Sequence, residues 1–172
     1  GKAGAYRSQI GTGGQEEEVE HGVVVVATGG RPVRTSEYLH GQHPGVITQR
    51  ELEERSSTAD LGTVVMIQCV GSREEERPYC SRICCTQAIK NALRLKAENP
   101  GVKVYILYRE VRTFGFREEY YRAAREAGVV FVRYALPGKP EVTGKGAKLE
   151  VRLREPVTGQ ALRLEADAVV LS

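Results

Sequence analysis

At 172 residues, with a formal charge of +3 and 41% hydrophobic content, the chain has the size and composition of one ordinary globular domain, or of one domain plus part of another. Basic and acidic residues are intermixed, which leaves no basic stripe for nucleic acid, and the longest apolar run, Val23-Val24-Val25-Val26-Ala27, is far too short to span a bilayer. Clustered cysteines without a charged-then-apolar leader point to a soluble protein of a reducing, cytoplasmic compartment.

In chain order, two short extended segments at 6–10 and 15–20 flank Gly11-Thr12-Gly13-Gly14 and read as a hairpin, with Glu16-Glu17-Glu18 on a solvated edge. His21-Gly22 then leads into residues 23–27, a buried-type strand, followed at once by Thr28-Gly29-Gly30. Small residues there let backbone approach a ligand, although the same pattern also makes a plain tight turn. Residues 31–60 are rich in loop formers, and Thr48 caps a short helix reaching about Glu54. His40 and His43 lack neighbouring ligand-type residues and are expected at the surface. Ser56-Ser57-Thr58 marks a boundary, giving one unit at 1–60 and a second at 61–172.

The second unit alternates strand 63–69, helix 80–98, strand 103–108, helix 116–127 and strand 129–134. Ile83, Ala88, Ile89, Ala92 and Leu93 follow the helical period, Asn99-Pro100-Gly101 stops that helix, and Gly128 caps the next. Such alternation predicts an α/β fold with a Rossmann-like parallel sheet and right-handed crossovers. After Pro137 the pattern becomes a strict two-residue alternation at 149–154, a turn at 156–159 and a strand at 160–164, an antiparallel hairpin insert. The order hairpin, acidic residue, valine-rich strand occurs at 20–28 and again at 165–172.

All four cysteines lie in one stretch spaced C-x10-C-x3-C-C: Cys69, Cys80, Cys84 and Cys85. They sit where a strand feeds a helix, the end of an α/β sheet at which ligands usually bind. On a helix beginning at Cys80, Cys80 and Cys84 share a face, and the ten-residue loop carries Cys69 across. Four thiolates match an iron-sulfur cluster, and Arg73, Arg77 and Arg82 suit its negative charge. Structural zinc, a dithiol/disulfide site and four buried inert thiols are the competing readings; the spacing lacks the paired knuckles of the first and the C-x-x-C of the second. A nicotinamide cofactor such as NAD is not expected. Its fingerprint needs three glycines after the first strand, where Cys69-Val70-Gly71-Ser72 keeps one, and Glu110 lies about 40 residues on where a ribose-binding acid belongs at about 20. Glu110 reads as a solvated or salt-bridged residue.

The run CVGSREEERPYCSRICCTQAIKNAL, followed by YREVRTFGFREEYYRAAREAGVVFVRY, closely resembles the A-type subunits of the heterodisulfide reductases, a family of iron-sulfur flavoproteins with a thioredoxin-reductase-like body. The resemblance runs from about Val23 to the end of the chain. It implies a 4Fe-4S cluster on Cys69, Cys80, Cys84 and Cys85, and an FAD approached by Thr28, Gly29 and Gly30. It further implies a two-dinucleotide-binding architecture in which the first domain is incomplete: 1–60 the end of an FAD-binding-type domain plus linker, 61–172 an NAD(P)-binding-like domain carrying the cysteines. The chain is then expected to be an internal piece of an electron-transferring subunit. It would work with other subunits of such a complex, including hydrogenase- or formate-dehydrogenase-type donors. A metal-stabilised docking module without redox turnover is the other function class, and redox activity separates the two.

Overall fold

A computed structural model describes residues 1–172, the side chains of Thr12 and Lys145 excepted. The chain divides into two compact units, Gly1–Val33 and Arg34–Ser172.

In the first unit, β1 (Tyr6–Thr12) and β2 (Gln15–His21) pair antiparallel, with Tyr6 opposite His21 and Ile10 opposite Glu17. Gly13 and Gly14 form the two-residue connection with φ of 61° and 86°, the positive values that match the twist of a tight hairpin. Tyr6 stacks on His21, and the Ser8 hydroxyl hydrogen-bonds the His21 ring at 2.8 Å. The strand expected at 23–27 is not formed. Val23 to Val26 are irregular and open, Val25 with 82% of its surface exposed. A strand needs a neighbour to accept its N–H and C=O groups, and among the described residues none pairs with this run.

The second unit is built on five parallel strands in the order β3-β10-β4-β5-β6: β3 (Val46–Thr48), β4 (Thr63–Ile67), β5 (Lys103–Tyr108), β6 (Val130–Arg133) and β10 (Ala168–Leu171). Strand alternation sends Val64 and Met66 to one face and Val65 and Ile67 to the other, and both faces are covered, as a parallel sheet requires. On the first face lie α1 (Gln49–Glu54), α2 (Cys84–Glu98) and α3 (Glu118–Glu126), contributing Leu52, Ile89, Leu95 and Ala124 to the core. The second face is covered by a meander, β7 (Glu141–Lys145), β8 (Lys148–Arg154) and β9 (Ala161–Ala166), which brings Leu149 and Val151 onto Val65, Ile67 and Leu107. The hairpin expected at 149–164 is formed by β8 and β9, and β7 adds a third strand beside it.

The helix at α1 opens with a complete capping box: Thr48 Oγ1 accepts from the Glu51 N–H, and the Glu51 carboxylate accepts from the Thr48 N–H. The division at 33/34 differs from the 60/61 boundary because β3 pairs with β10 and Leu52 of α1 is fully buried in the same core. Helix α2 begins at Cys84, not Cys80: Arg82 has φ of 63°, a left-handed backbone through which a right-handed helix cannot run. A 3-10 turn at Gly115–Arg117 takes up the start expected for α3. Among the described residues no helix is long and apolar enough to cross a membrane.

Candidate metal centre

The four cysteines are placed by the C-terminal ends of β4 and β5 and the first turn of α2. The end of β4 is clamped from both sides. Tyr134, buried just beyond β6, donates its hydroxyl to the Gln68 carbonyl; the Val70 N–H donates to the Ser172 carbonyl after β10; and the Gln68 side-chain amide donates to Ser172 Oγ. From this anchor Cys69 turns with φ of 62° and is buried. The loop then bends at Gly71 and Arg73, closes a small turn through paired Glu74 and Arg77 backbone bonds, and bends again at Arg82. Among the described residues, three of the five non-glycine positions with positive φ, Cys69, Arg73 and Arg82, fall in this stretch, and strained backbone of this kind concentrates at functional sites.

Cys80 lies in the loop, partly exposed, and its sulfur accepts the Arg82 N–H at 3.3 Å. Cys80 and Cys84 therefore do not share a helical face, which corrects the i, i+4 placement expected from spacing. Cys84 opens α2, and Cys85, one residue inside it, is buried with its thiol directed at the Glu110 carbonyl at 3.7 Å. All four are free thiols.

The electrostatics tie the four together. Cys84 is pushed up, first by its hydrogen bond with Cys85, then by burial, and then by the charges of Cys85, Cys69 and Cys80. Cys85 is lowered to about 6, chiefly because Cys84 hydrogen-bonds its thiolate; burial opposes this, while the Arg112 backbone N–H and the charges of Arg73 and Arg112 reinforce it. Burial raises Cys69, against the pull of Arg73 and Arg109. Cys69, Cys84 and Cys85 are thus set in one another's field, and Arg73 acts on Cys69 and Cys85.

Glu110, just after β5, organises those guanidinium groups. Its Oε2 accepts from Arg112 Nε (3.0 Å) and Nη2 (2.8 Å) and from Arg73 Nη2 (3.1 Å), and the Arg112 hydrogen bonds are the main force holding its carboxyl below the usual range. The sequence marks Glu110 as a solvated or salt-bridged residue, but nothing in the sequence says that its partners are Arg73 and Arg112. Arg73 Nη1 is buried and has no hydrogen-bond partner among the described residues.

Among the described residues no three His, Cys, Asp or Glu side chains converge as the ligand set of a single ion. A cluster differs from a lone ion in placing its own metal and sulfide core between the thiolates. Four soft donors, spread but within one another's field, beside cations and an unpaired buried donor, fit such an anionic group. Away from this centre, the His40 ring lies 3.0 Å from the Thr35 carbonyl and 3.3 Å from Glu51, and His43 Nδ1 accepts the Gly45 N–H. Thr28, Gly29 and Gly30 lie in the exposed end of the first unit, with φ of 69° at Gly29.

No family model matches the chain. It is 36% identical over 179 residues to the A-type subunit of the H2/formate:CoB-CoM heterodisulfide, ferredoxin reductase of Methanococcus maripaludis, an overlap covering 92% of this chain and 27% of that protein. It is 40% identical over 157 residues to the A-type iron-sulfur subunit of the CoB-CoM heterodisulfide reductase of Methanocaldococcus jannaschii, covering 79% of this chain and 23% of that one. The chain thus spans about a quarter of the length of these relatives. Among solved structures, the Cu(II) complex of the HOCl-induced flavoprotein disulfide reductase of Escherichia coli superposes with a TM-score of 0.51 at 17% identity, over 96% of this chain and 33% of that one. Thioredoxin reductase of Lactococcus lactis gives 0.51 at 17% identity, over 96% and 48%. These two likenesses are of fold.

Proposed function

We propose, from the premise that this chain belongs over the segment it spans to the family of A-type heterodisulfide reductase subunits, that it is the electron-transferring part of an oxidoreductase in which Cys69, Cys80, Cys84 and Cys85 hold a 4Fe-4S cluster. The observation that carries this reading is the placement of four free cysteines between the end of β4 and the start of α2, with Arg73 and Arg112 held on Glu110, whose backbone carbonyl receives the Cys85 thiol. Such a cluster supplies one-electron transfer at a potential set by its ligands, hydrogen bonds and burial. This chain's residues do the rest. Cys69 and Cys85 are buried and hold their thiols away from water, Cys80 and Cys84 are partly exposed, and the arginines would offset the negative charge of four thiolates.

In this reading residues 61–172 are a nicotinamide-type domain whose phosphate loop has been replaced by the cysteine loop. Residues 1–60 would be the end of a flavin domain plus a linker, the linker packed into the second unit through β3 and α1, with Thr28, Gly29 and Gly30 letting the backbone approach FAD. With both groups bound, the chemistry supplied would be one-electron exchange between that flavin and the cluster held by Cys69, Cys80, Cys84 and Cys85. The names of the relatives, which couple H2, formate, ferredoxin and a heterodisulfide, support a place among the subunits of such a complex. The test is iron and acid-labile sulfide per chain after anaerobic reconstitution. About four of each are expected, with a broad visible band that bleaches on reduction. Cys84→Ala and Cys85→Ala should each lower cluster content. Zinc alone, or four titratable thiols without metal, would overturn the reading.

A further inference from the structure

We infer that Arg73, held in place by Glu110, is a positioning residue that raises the reduction potential of the group bound by the four cysteines. The inference rests on the cluster reading above and deepens it. Arg73 has features that a surface arginine lacks. Its backbone is left-handed, with φ of 58°, a conformation costly for a side chain with a Cβ, and its side chain is only 20% exposed. One guanidinium nitrogen, Nη2, is fixed on Glu110 at 3.1 Å, while Nη1 is buried and has no partner among the described residues. A buried donor left unsatisfied costs free energy, so its persistence calls for a partner of the right chemistry. The residue that holds this guanidinium also receives the Cys85 thiol, at the Glu110 backbone carbonyl 3.7 Å away, so Arg73 is fixed beside the cysteines and the chemistry it faces is anionic sulfur.

The effect on redox poise follows from charge. Taking up one electron makes a cluster more negative by one, so a fixed cation and a hydrogen bond to its sulfurs favour the reduced form. Glu110 limits this gain, because its carboxylate neutralises part of the Arg73 and Arg112 charge while holding both in position. The two residues should consequently move the potential in opposite directions.

The experiment is an anaerobic dithionite titration, followed by electron paramagnetic resonance, of the complete protein carrying this chain, with iron and sulfide measured on every sample. Arg73→Gln is expected to make reduction harder, shifting the oxidised-to-reduced ratio at a fixed potential by about tenfold, ~59 mV for a one-electron couple. Arg73→Lys should recover part of that shift, and Glu110→Gln should shift the ratio the other way. Full cluster content with an unchanged potential in Arg73→Gln overturns the inference and leaves the cluster reading intact, as do shifts of the same sign in Arg73→Gln and Glu110→Gln. If Arg73→Gln loses its cluster, the Glu110→Gln shift decides alone: upward supports the inference, none overturns it. An unaltered protein without iron overturns both.

Discussion

Two valine runs preceded by the same kind of sequence have opposite fates. Glu20-His21-Gly22 leads into Val23-Val24-Val25-Val26, which is irregular and open; Glu165-Ala166-Asp167 leads into Ala168-Val169-Val170-Leu171, which is β10, fully buried near the middle of the sheet. Local β-propensity favours a strand in both. What differs is who receives the backbone. Strand β10 is flanked on both sides, Val169 opposite Val46 of β3 and Val65 of β4, whereas the first run has no partner among the described residues. The position before each run differs as well: Asp167 Oδ2 accepts the N–H groups of Gly62 (3.0 Å) and Thr63 (2.8 Å) and its other oxygen pairs with Lys148, while Gly22 has no side chain to do the same. Strand propensity states a preference, and pairing decides whether it is realised.

The comparison can be broken most forcefully at Val170. In this chain, Val170→Asp places an unpaired charge in a fully buried strand and should cost more than ~4 kcal/mol, enough to abolish a cooperative urea transition. Leu149→Ala removes a fully buried side chain with which the meander seals the face of the sheet; a loss of about 3 kcal/mol is expected in the same titration. Asp167→Gly converts the position before β10 into its counterpart before Val23 and should cost about 2 kcal/mol through hydrogen bonds to a charged group.

Asp167 also sharpens the comparison by pH. Burial raises its carboxyl, but the Lys148 ammonium and the two backbone N–H groups outweigh burial, so its net shift is downward. A depressed acid stabilises the folded state fully above its unfolded value of ~3.9, and the contribution is lost as pH falls through the lower folded value. Stability curves of the unaltered chain and Asp167→Gly should therefore converge below about pH 4 and separate above it. Thr48→Ala, at the end of β3, breaks the capping box of α1 and should cost about 1 kcal/mol in thermal unfolding. Val25→Asp should change stability by no more than ~0.5 kcal/mol in this chain. A cost in the complete protein as large as that of Val170→Asp would mean that the first run is also a paired strand there.

The site was legible to different depths. The four cysteines, the arginines among them and the strand-to-helix setting all follow from residue type and order. Cys80 was misplaced on the helix because helical periodicity does not register a left-handed turn at Arg82, a residue whose identity gives no hint of positive φ. The bridging role of Glu110 was out of reach for another reason: Arg73 is 37 residues away in sequence and meets it only because β4 and β5 pair in parallel, bringing their ends together.

By itself the sequence determined the α/β alternation, the extent of β5, the capped helix after Thr48, the tight turn of the first hairpin and the chemistry available at the cysteine stretch. Each of these depends on a period, a cap or a residue type readable within a few positions. Tertiary structure decided which valine run became a strand, that β10 entered between β3 and β4, and that one carboxylate holds two arginines beside the thiols. Those outcomes depend on contacts between residues tens of positions apart, whose free energy arises only when the sheet has brought them together.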